Sequence, residues 1–289
     1  MRDGLISLGR RLLARRGAAL SLAFLALVAL AAAFAGLLPL DPLGQSVADA
    51  LKPPSSESWF GTDELGRDIL ARVVYGARTS LVTAFGAVLT AALVGVPVGL
   101  VAGFYGGWRD SLLMRCIDVL LALPNILFAM ALIAVLGRSQ SAALIAVGVA
   151  GIPGFARIAR AQVMTLRSLD FVTAVRGFGG KPGYIMFRTI LPNALSPLVV
   201  QAIVLASIAI LLEAALAFLG VGVPPPTPSW GEMLRTGKSY LYEAPSYAVL
   251  PGLVLTLTIL SFDTIGRALT AILDRDETDA SGATIGGRR

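Results

Sequence analysis

The chain has no histidine and a single cysteine, Cys116. The first absence removes the commonest general base and the commonest metal ligand, and with them any Ser-His or Cys-His nucleophilic pair. The second excludes an intramolecular disulfide and leaves the redox compartment unread. Charge is scarce too. Asp, Glu, Lys and Arg make up 15% of the 289 residues, where ordinary globular chains carry about 25%. What fills the space is apolar: 56% of residues, with a mean hydropathy of +0.77. That composition is that of a multi-pass membrane protein.

The spans follow from the uncharged runs. Arg10, Arg11, Arg15 and Arg16 precede an uncharged stretch over 17–40, too long for the core of a signal peptide and long enough to cross a bilayer. It reads as a retained first transmembrane helix behind a cytoplasmic segment 1–16. A segment 41–78 separates it from a core of five further spans over 79–274. These are Thr79 to about Tyr105; about Met114 to Leu136; Ser141 to Ala159, interrupted by "GIPG" at Gly151–Gly154; Asn193 to Leu219; and Tyr247 to Ala268. Six spans place both termini on one side. A cytoplasmic placement puts 17 of the 24 Lys and Arg residues inside, and leaves Lys52, Arg67, Arg72, Arg78, Arg138, Arg235 and Lys238 outside. This is the positive-inside distribution, and it accounts for the +6 net charge without nucleic acid. The polar tail 275–289 reads as disordered and cytoplasmic.

Several local patterns carry possible chemistry. Gly95, Gly99, Gly103 and Gly107 recur every four residues along the second span, a spacing that lets helix backbones approach closely in lipid. Gly237-Lys238-Ser239 suggests a phosphate-binding loop, but Glu232 stands where the first glycine of that motif belongs and no strand precedes it. Asp118, Glu213 and Asp263 lie within or at the edge of apolar spans. There a carboxylate either pairs helices or lines a pathway, and none of the three sits at mid-membrane. On the outer side, Gly61-Thr62-Asp63 reads as a turn capping an interfacial amphipathic helix from about Glu64 to Arg78. On the inner side, a long basic segment from Leu169 to Pro197 contains four glycines, Gly177, Gly179 and Gly180 among them. That is longer than a connection between two spans requires, so it reads as a binding segment.

The stretches "WFGTDELGRDILARVVYGARTSL", "GGWRD", "MRCIDVLLALP", "ARIARAQVMTLRSLDFVTAVRGFG" and "ILPNALSPLVVQ", with "EAALAFLGVGVPPPTPSWGEML", resemble the C-type permease subunit of the dipeptide/oligopeptide family of bacterial ABC importers. The likeness runs from the first span to about Asp274. It implies an all-α integral membrane protein with six transmembrane helices, both termini cytoplasmic and the type I ABC importer permease fold, in the bacterial inner membrane. It also implies that the cytoplasmic loop 166–192 carries the family's E-A-A-x-x-x-G signature and docks a short coupling helix on an ATPase. The signature's first three positions fall on Thr173, Ala174 and Val175, its glycine on Gly179, and its closing I-x-L-P variant on Ile190, Leu191 and Pro192. Thr173 stands where the family pattern has an acid and Val175 where it has a second alanine, so no acid-mediated contact carries over.

The same likeness implies partners: a homologous second permease, two ATP-binding subunits, a periplasmic or lipid-anchored solute-binding protein, and membrane lipid. This chain would bind no cofactor and do no bond-making chemistry; ATP and Mg would act in the ATPase subunits. Peptides lead as solute, with nickel chelates, glutathione or another small solute as the alternative. The loop from Gly220 to Tyr247 would be either part of the binding-protein platform or a rigid connection. An ion-coupled secondary transporter is the more remote reading, since only "GIPG" hints at the broken helices such a mechanism uses.

Overall fold

A computed structural model of the chain describes residues 9–286, with side chains to residue 273. Among the described residues the architecture is helical throughout, apart from one isolated bridge between Thr62 and Asp68. The main helices are α1 (Arg16–Ala33), α2 (Ile69–Tyr105), α3 (Gly107–Leu120), α4 (Asn125–Leu136), α5 (Gln140–Leu166), α6 (Asp170–Gly177), α7 (Leu195–Phe218), α8 (Trp230–Gly237) and α9 (Ser246–Gly286). Five of them, α1, α2, α5, α7 and the Ser246–Leu273 part of α9, are long and apolar enough to cross a bilayer.

The sixth expected span is not one straight helix. α3 and α4 meet at a bend of 84° across a break of four residues. Pro124 takes an extended ψ of 134° at the start of α4. The residue before a proline avoids the α region, so "LALP" ends α3 and lets the chain change direction.

Four other expectations change with the structure. α1 stops at Ala33, followed by a single tight turn Ala35–Leu37, because Leu38 goes extended (ψ 144°) ahead of Pro39. The interfacial helix from Glu64 does not form as a separate element. Residues 61–68 fold into a turn, and the helix starts at Ile69, where the Asp68 side chain accepts from the Ala71 amide at 2.8 Å. That helix then runs unbroken into the second span. Nor does "GIPG" break α5, which continues through Pro153; in lipid, neighbouring helices hold the backbone together around such a proline. The backbone of 275–286 continues α9 instead of leaving the helix.

The core is built from small residues. α2 and α5 pack along most of their length, and the glycine ladder identifies α5 as the partner helix. A Cβ at Gly95 would meet the Ile152 carbonyl oxygen at 2.7 Å, at Gly99 the Ala156 oxygen at 2.2 Å, and at Gly103 the Arg160 oxygen at 2.8 Å. The ladder has three rungs and not four, since Gly107 lies past the end of α2 with nothing within 4 Å of its Cβ position. Alanines do the same further up: Ala84, Ala87, Ala143, Ala146, Ala206 and Ala209 are all buried in one cluster. Helices in lipid gain little from burying apolar area against each other, so close van der Waals packing carries the association.

Candidate functional site

The inner ends of α2 and α5 form the seat for the basic cytoplasmic segment. α6 carries Asp170 in its first turn and Arg176 in its last, the charge order that complements the helix dipole. Its Val172 is fully buried and its Val175 half-buried, in a cluster with Leu100, Val163, Ile185, Met186 and Ile190. The opposite face has nothing against it: Phe171, Thr173, Ala174 and Phe178 are exposed, Phe178 to 94%.

The helix stops by backbone geometry. Gly179 has φ +80°, its amide donates to the Arg176 carbonyl, and the Gly180 amide donates to the Val175 carbonyl, each at 3.0 Å. This pair of bonds is a Schellman stop, which needs a left-handed residue at the first position beyond the cap. Gly179→Ala is expected to cost about 1 kcal/mol, and Gly179→Asn less, because Asn tolerates the left-handed region. Thermal melts of the three proteins in nanodiscs check this order.

Beyond the stop the chain returns under α6. A widened helical turn, Ile185–Ile190, points Ile185, Met186 and Ile190 into the cluster beneath Val172, with Leu191 packed at its edge. Pro192 follows, exposed, with no amide to return to the carbonyl four residues back. The structure therefore joins the two halves of the sequence signature through one apolar floor. Ile190 and Leu191 support the helix, Gly179 ends it, and Thr173 and Ala174 stand on its free face.

Three arginines tie this assembly to the bundle, and none was legible beforehand. Arg160 donates to both oxygens of Asp110, at 2.6 and 2.7 Å, joining α5 to α3. Arg167 donates to the Gly103 carbonyl at 2.9 Å. Arg176 lies over the Phe104 ring, 5.7 Å from its centroid. The partners are dozens of residues apart in the chain, and only the tight α2–α5 contact brings them together.

The three carboxylates flagged in apolar spans do not converge. Asp118 pairs with Arg157 at 2.7 Å, α3 to α5. Glu213 is buried and accepts from the Ser80 hydroxyl at 2.9 Å, α7 to α2. Asp263 pairs with Arg267 within α9. Two of the three thus join helices.

The outer side holds a buried ion cluster whose near half lies in "GTDELGRDILAR" and whose far member does not. Asp63 Oδ2 lies 2.6 Å from Arg67 Nε and 3.3 Å from Arg72 Nε, and Arg72 Nη2 lies 3.0 Å from Glu232 on α8. Trp230, fully buried, donates to the Val73 carbonyl at 3.0 Å. These contacts fix α8 and its proline-rich approach on the outer end of α2. Gly237 ends that helix and Lys238–Tyr240 form a tight turn after it, so Gly237-Lys238-Ser239 lies at a helix C-terminus and not ahead of a helix as in a phosphate-binding loop. Glu232→Gln keeps the shape and loses the charge, so it is expected to cost about 2 kcal/mol, the worth of a buried charge-assisted hydrogen bond; a melt against wild type checks it.

Residues 95–278 match the family described as binding-protein-dependent transport system inner membrane component, and residues 7–54 match the N-terminal TM domain of oligopeptide transport permease C. The chain is 45% identical to the dipeptide transport system permease protein DppC of Alkalihalophilus pseudofirmus, over 78% of this chain and 75% of that protein. It is 41% identical to the di/tripeptide transport system permease protein DppC of Pseudomonas aeruginosa, over 90% and 88%. It is 39% identical to the glutathione transport system permease protein GsiD of Pectobacterium atrosepticum, over 82% and 79%. Among solved structures, an inward-facing MetNI methionine ABC transporter chain superposes with a TM-score of 0.54 at 20% identity, covering 70% of this chain and 97% of that one.

Proposed function

The chain belongs to the family of binding-protein-dependent transport system inner membrane components, and on that premise we propose that it is the C-type permease subunit of an ATP-driven importer of di- or oligopeptides. It forms a pathway together with a second, homologous permease. A solute-binding protein delivers peptide to the outer face, and two ATPase subunits on the inner face drive the change between outward- and inward-facing states. The chain itself makes and breaks no bonds; ATP and Mg act in the ATPases.

One observation carries this reading. α6 is seated on a buried apolar floor while its free face, with the nearly fully exposed Phe178, is uncovered on the Lys- and Arg-rich side of the bundle. An exposed aromatic beside small residues is the composition of a docking surface and not of a solvated connection. Arg176 over Phe104 and Arg167 on the Gly103 carbonyl link the root of α6 to the inner ends of α2 and α5, and the Arg160–Asp110 pair joins α5 to α3, which gives a push on α6 a route into the bundle. The peptide assignment is supported by the 45% identity to a dipeptide permease, against 39% and 41% to two glutathione permeases.

The test is uptake into inverted-free, right-side-out membrane vesicles holding the chain with its co-expressed partners, using labelled Ala-Ala and labelled glutathione. ATP-dependent uptake of Ala-Ala, competed by other dipeptides and not by glutathione, is the expected result. Preferential glutathione uptake would move the chain to the neighbouring substrate class, and uptake without ATP would contradict the importer reading.

A further inference from the structure

The break 121–124 between α3 and α4 is exposed throughout, as is Asn125 after it. Pro124 holds the N-cap of α4 and gives its first turn no side-chain acceptor, so the leading amides of that helix have no partner of their own. Just ahead of the break, Asp118 Oδ1 lies 2.7 Å from Arg157 Nη2 on α5, with the two side chains 58% and 56% exposed.

This region lies inside the membrane. Arg157 follows Ala156, whose carbonyl faces Gly99 across the tight α2–α5 contact. Tyr105 and Trp108 mark the inner boundary, exposed aromatics with the Arg109 guanidinium over both rings. From Gly99 to Tyr105 α2 rises about 9 Å. The ion pair therefore stands more than a helical turn inside the boundary, beyond the reach of an aspartate side chain.

Lipid does not suit such a face. Irregular backbone and charge at this depth are confined to positions covered by protein or lining a water-filled cavity. The adjoining stripe of α5 is also polar or small, with Arg157, Ala161 and Thr165 recurring every four residues and all exposed. The exposed stripe of α2 is the opposite: Val82, Phe85, Leu89 and Leu93 are apolar without exception, as a lipid-facing surface requires.

We propose that the α3–α4 break and the Arg157–Asp118 pair line the aqueous solute pathway on its inner side, and that the nucleotide-driven change of state closes water off from them. The assignment rests on the importer reading and adds to it the part of this chain that the solute passes. Water in the pathway meets the leading amides of α4 and hydrates the pair. Because the pair has no net charge, the wall holds no fixed charge that would trap a zwitterionic peptide on its way through.

The experiment uses the assembled importer in inverted vesicles, with Cys116→Ser as background and the single-cysteine variants A122C and L123C in the break. L27C and L93C are the lipid-facing controls, at positions 64% and 66% exposed on apolar helix faces. The probe is MTSET, a permanently charged methanethiosulfonate that does not cross the bilayer. It reacts with thiolate, the form that water supports, so A122C and L123C are expected to react at least about ten-fold faster than the controls. ATP, Mg and vanadate should slow both about ten-fold, as about nine in ten complexes leave the inward-facing state. ATP-dependent uptake of Ala-Ala by the same variants in right-side-out vesicles shows that they fold and assemble. Break cysteines as slow as the controls in uptake-competent complexes overturn the proposal; a crosslink to the second permease then identifies protein as the cover, and labelling by a photoreactive phospholipid identifies lipid. Fast reaction in every nucleotide state overturns it as well, by placing the break on permanently open surface. Absent uptake by wild type is a separate result, and it sinks the importer reading itself.

Discussion

Replacing Gly99 with valine removes most of the folded protein from the membrane. A Cβ at this position would stand 2.2 Å from the Ala156 carbonyl oxygen, 2.7 Å from the Ala159 Cβ and 2.9 Å from the Arg160 amide nitrogen. Two of those three atoms are backbone, so no rotamer change makes room; α2 and α5 must move apart. Separation would loosen Gly95 and Gly103 on either side, and with them the Arg167 bond to the Gly103 carbonyl that anchors the cytoplasmic segment. Overpacking usually costs 1–3 kcal/mol, occasionally more, and a backbone clash on the tightest helix pair belongs at the upper end, about 3 kcal/mol or more. That corresponds to a fall of about 6 °C or more in melting temperature. Gly36→Ala is the control, because a Cβ there meets nothing within 4 Å. Fluorescence-detected size exclusion after a temperature series reads both. A Gly99→Val protein as stable as the control would contradict the packing described here.

The second large effect lies at the surface. Phe178→Ala is expected to weaken capture of the ATPase subunits about 30-fold and to abolish most transport, while leaving the melting temperature of the isolated chain within error of wild type. The ring is 94% exposed and touches no cluster, so its removal costs the isolated fold nothing beyond the usual ±0.5 kcal/mol of a surface change. A buried aromatic at the centre of an interface is worth about 2 kcal/mol or more, which is the 30-fold. Val172→Asp makes the contrasting case: a charge placed in the floor beneath α6 should disrupt the seat itself and lower both stability and transport. Co-purification of the ATPases with each variant, beside a melt, tells the two apart. Transport unchanged in Phe178→Ala would remove the aromatic from the interface.

How far the sequence carried the fold depends on range. Hydropathy located the membrane-crossing helices, since each contains a long, nearly uncharged run. It failed where one or two residues decide direction. The run ending at Leu136 is apolar enough for a straight span, yet Pro124 splits it into α3 and α4; the run through Pro153 contains the same breaker, yet α5 continues, because its neighbours hold it on every side. Asp68 and not Asp63 caps α2, for Asp63 is drawn into the buried cluster with Arg67 and Arg72.

The candidate site shows the same division. Thr173, Ala174 and Gly179 were legible from a local motif, and the structure gives them a helix face and a stop. Ile190 and Leu191 were legible as a motif but not as a floor. Asp110 with Arg160, and Arg72 with Glu232, join residues 50 and 160 positions apart, and no local pattern reports such pairs.

The central claim is that α6 presents its free face to an ATPase. It is tested most directly by a single cysteine at Ala174, with the exposed Cys116 replaced by serine, in membranes containing the co-expressed ATPase subunits. A crosslink to an ATPase subunit whose yield changes when ATP and Mg are added is the predicted result. A cysteine that reacts freely with a soluble maleimide, in a folded and assembled complex, and forms no ATPase crosslink in either nucleotide state would contradict the account.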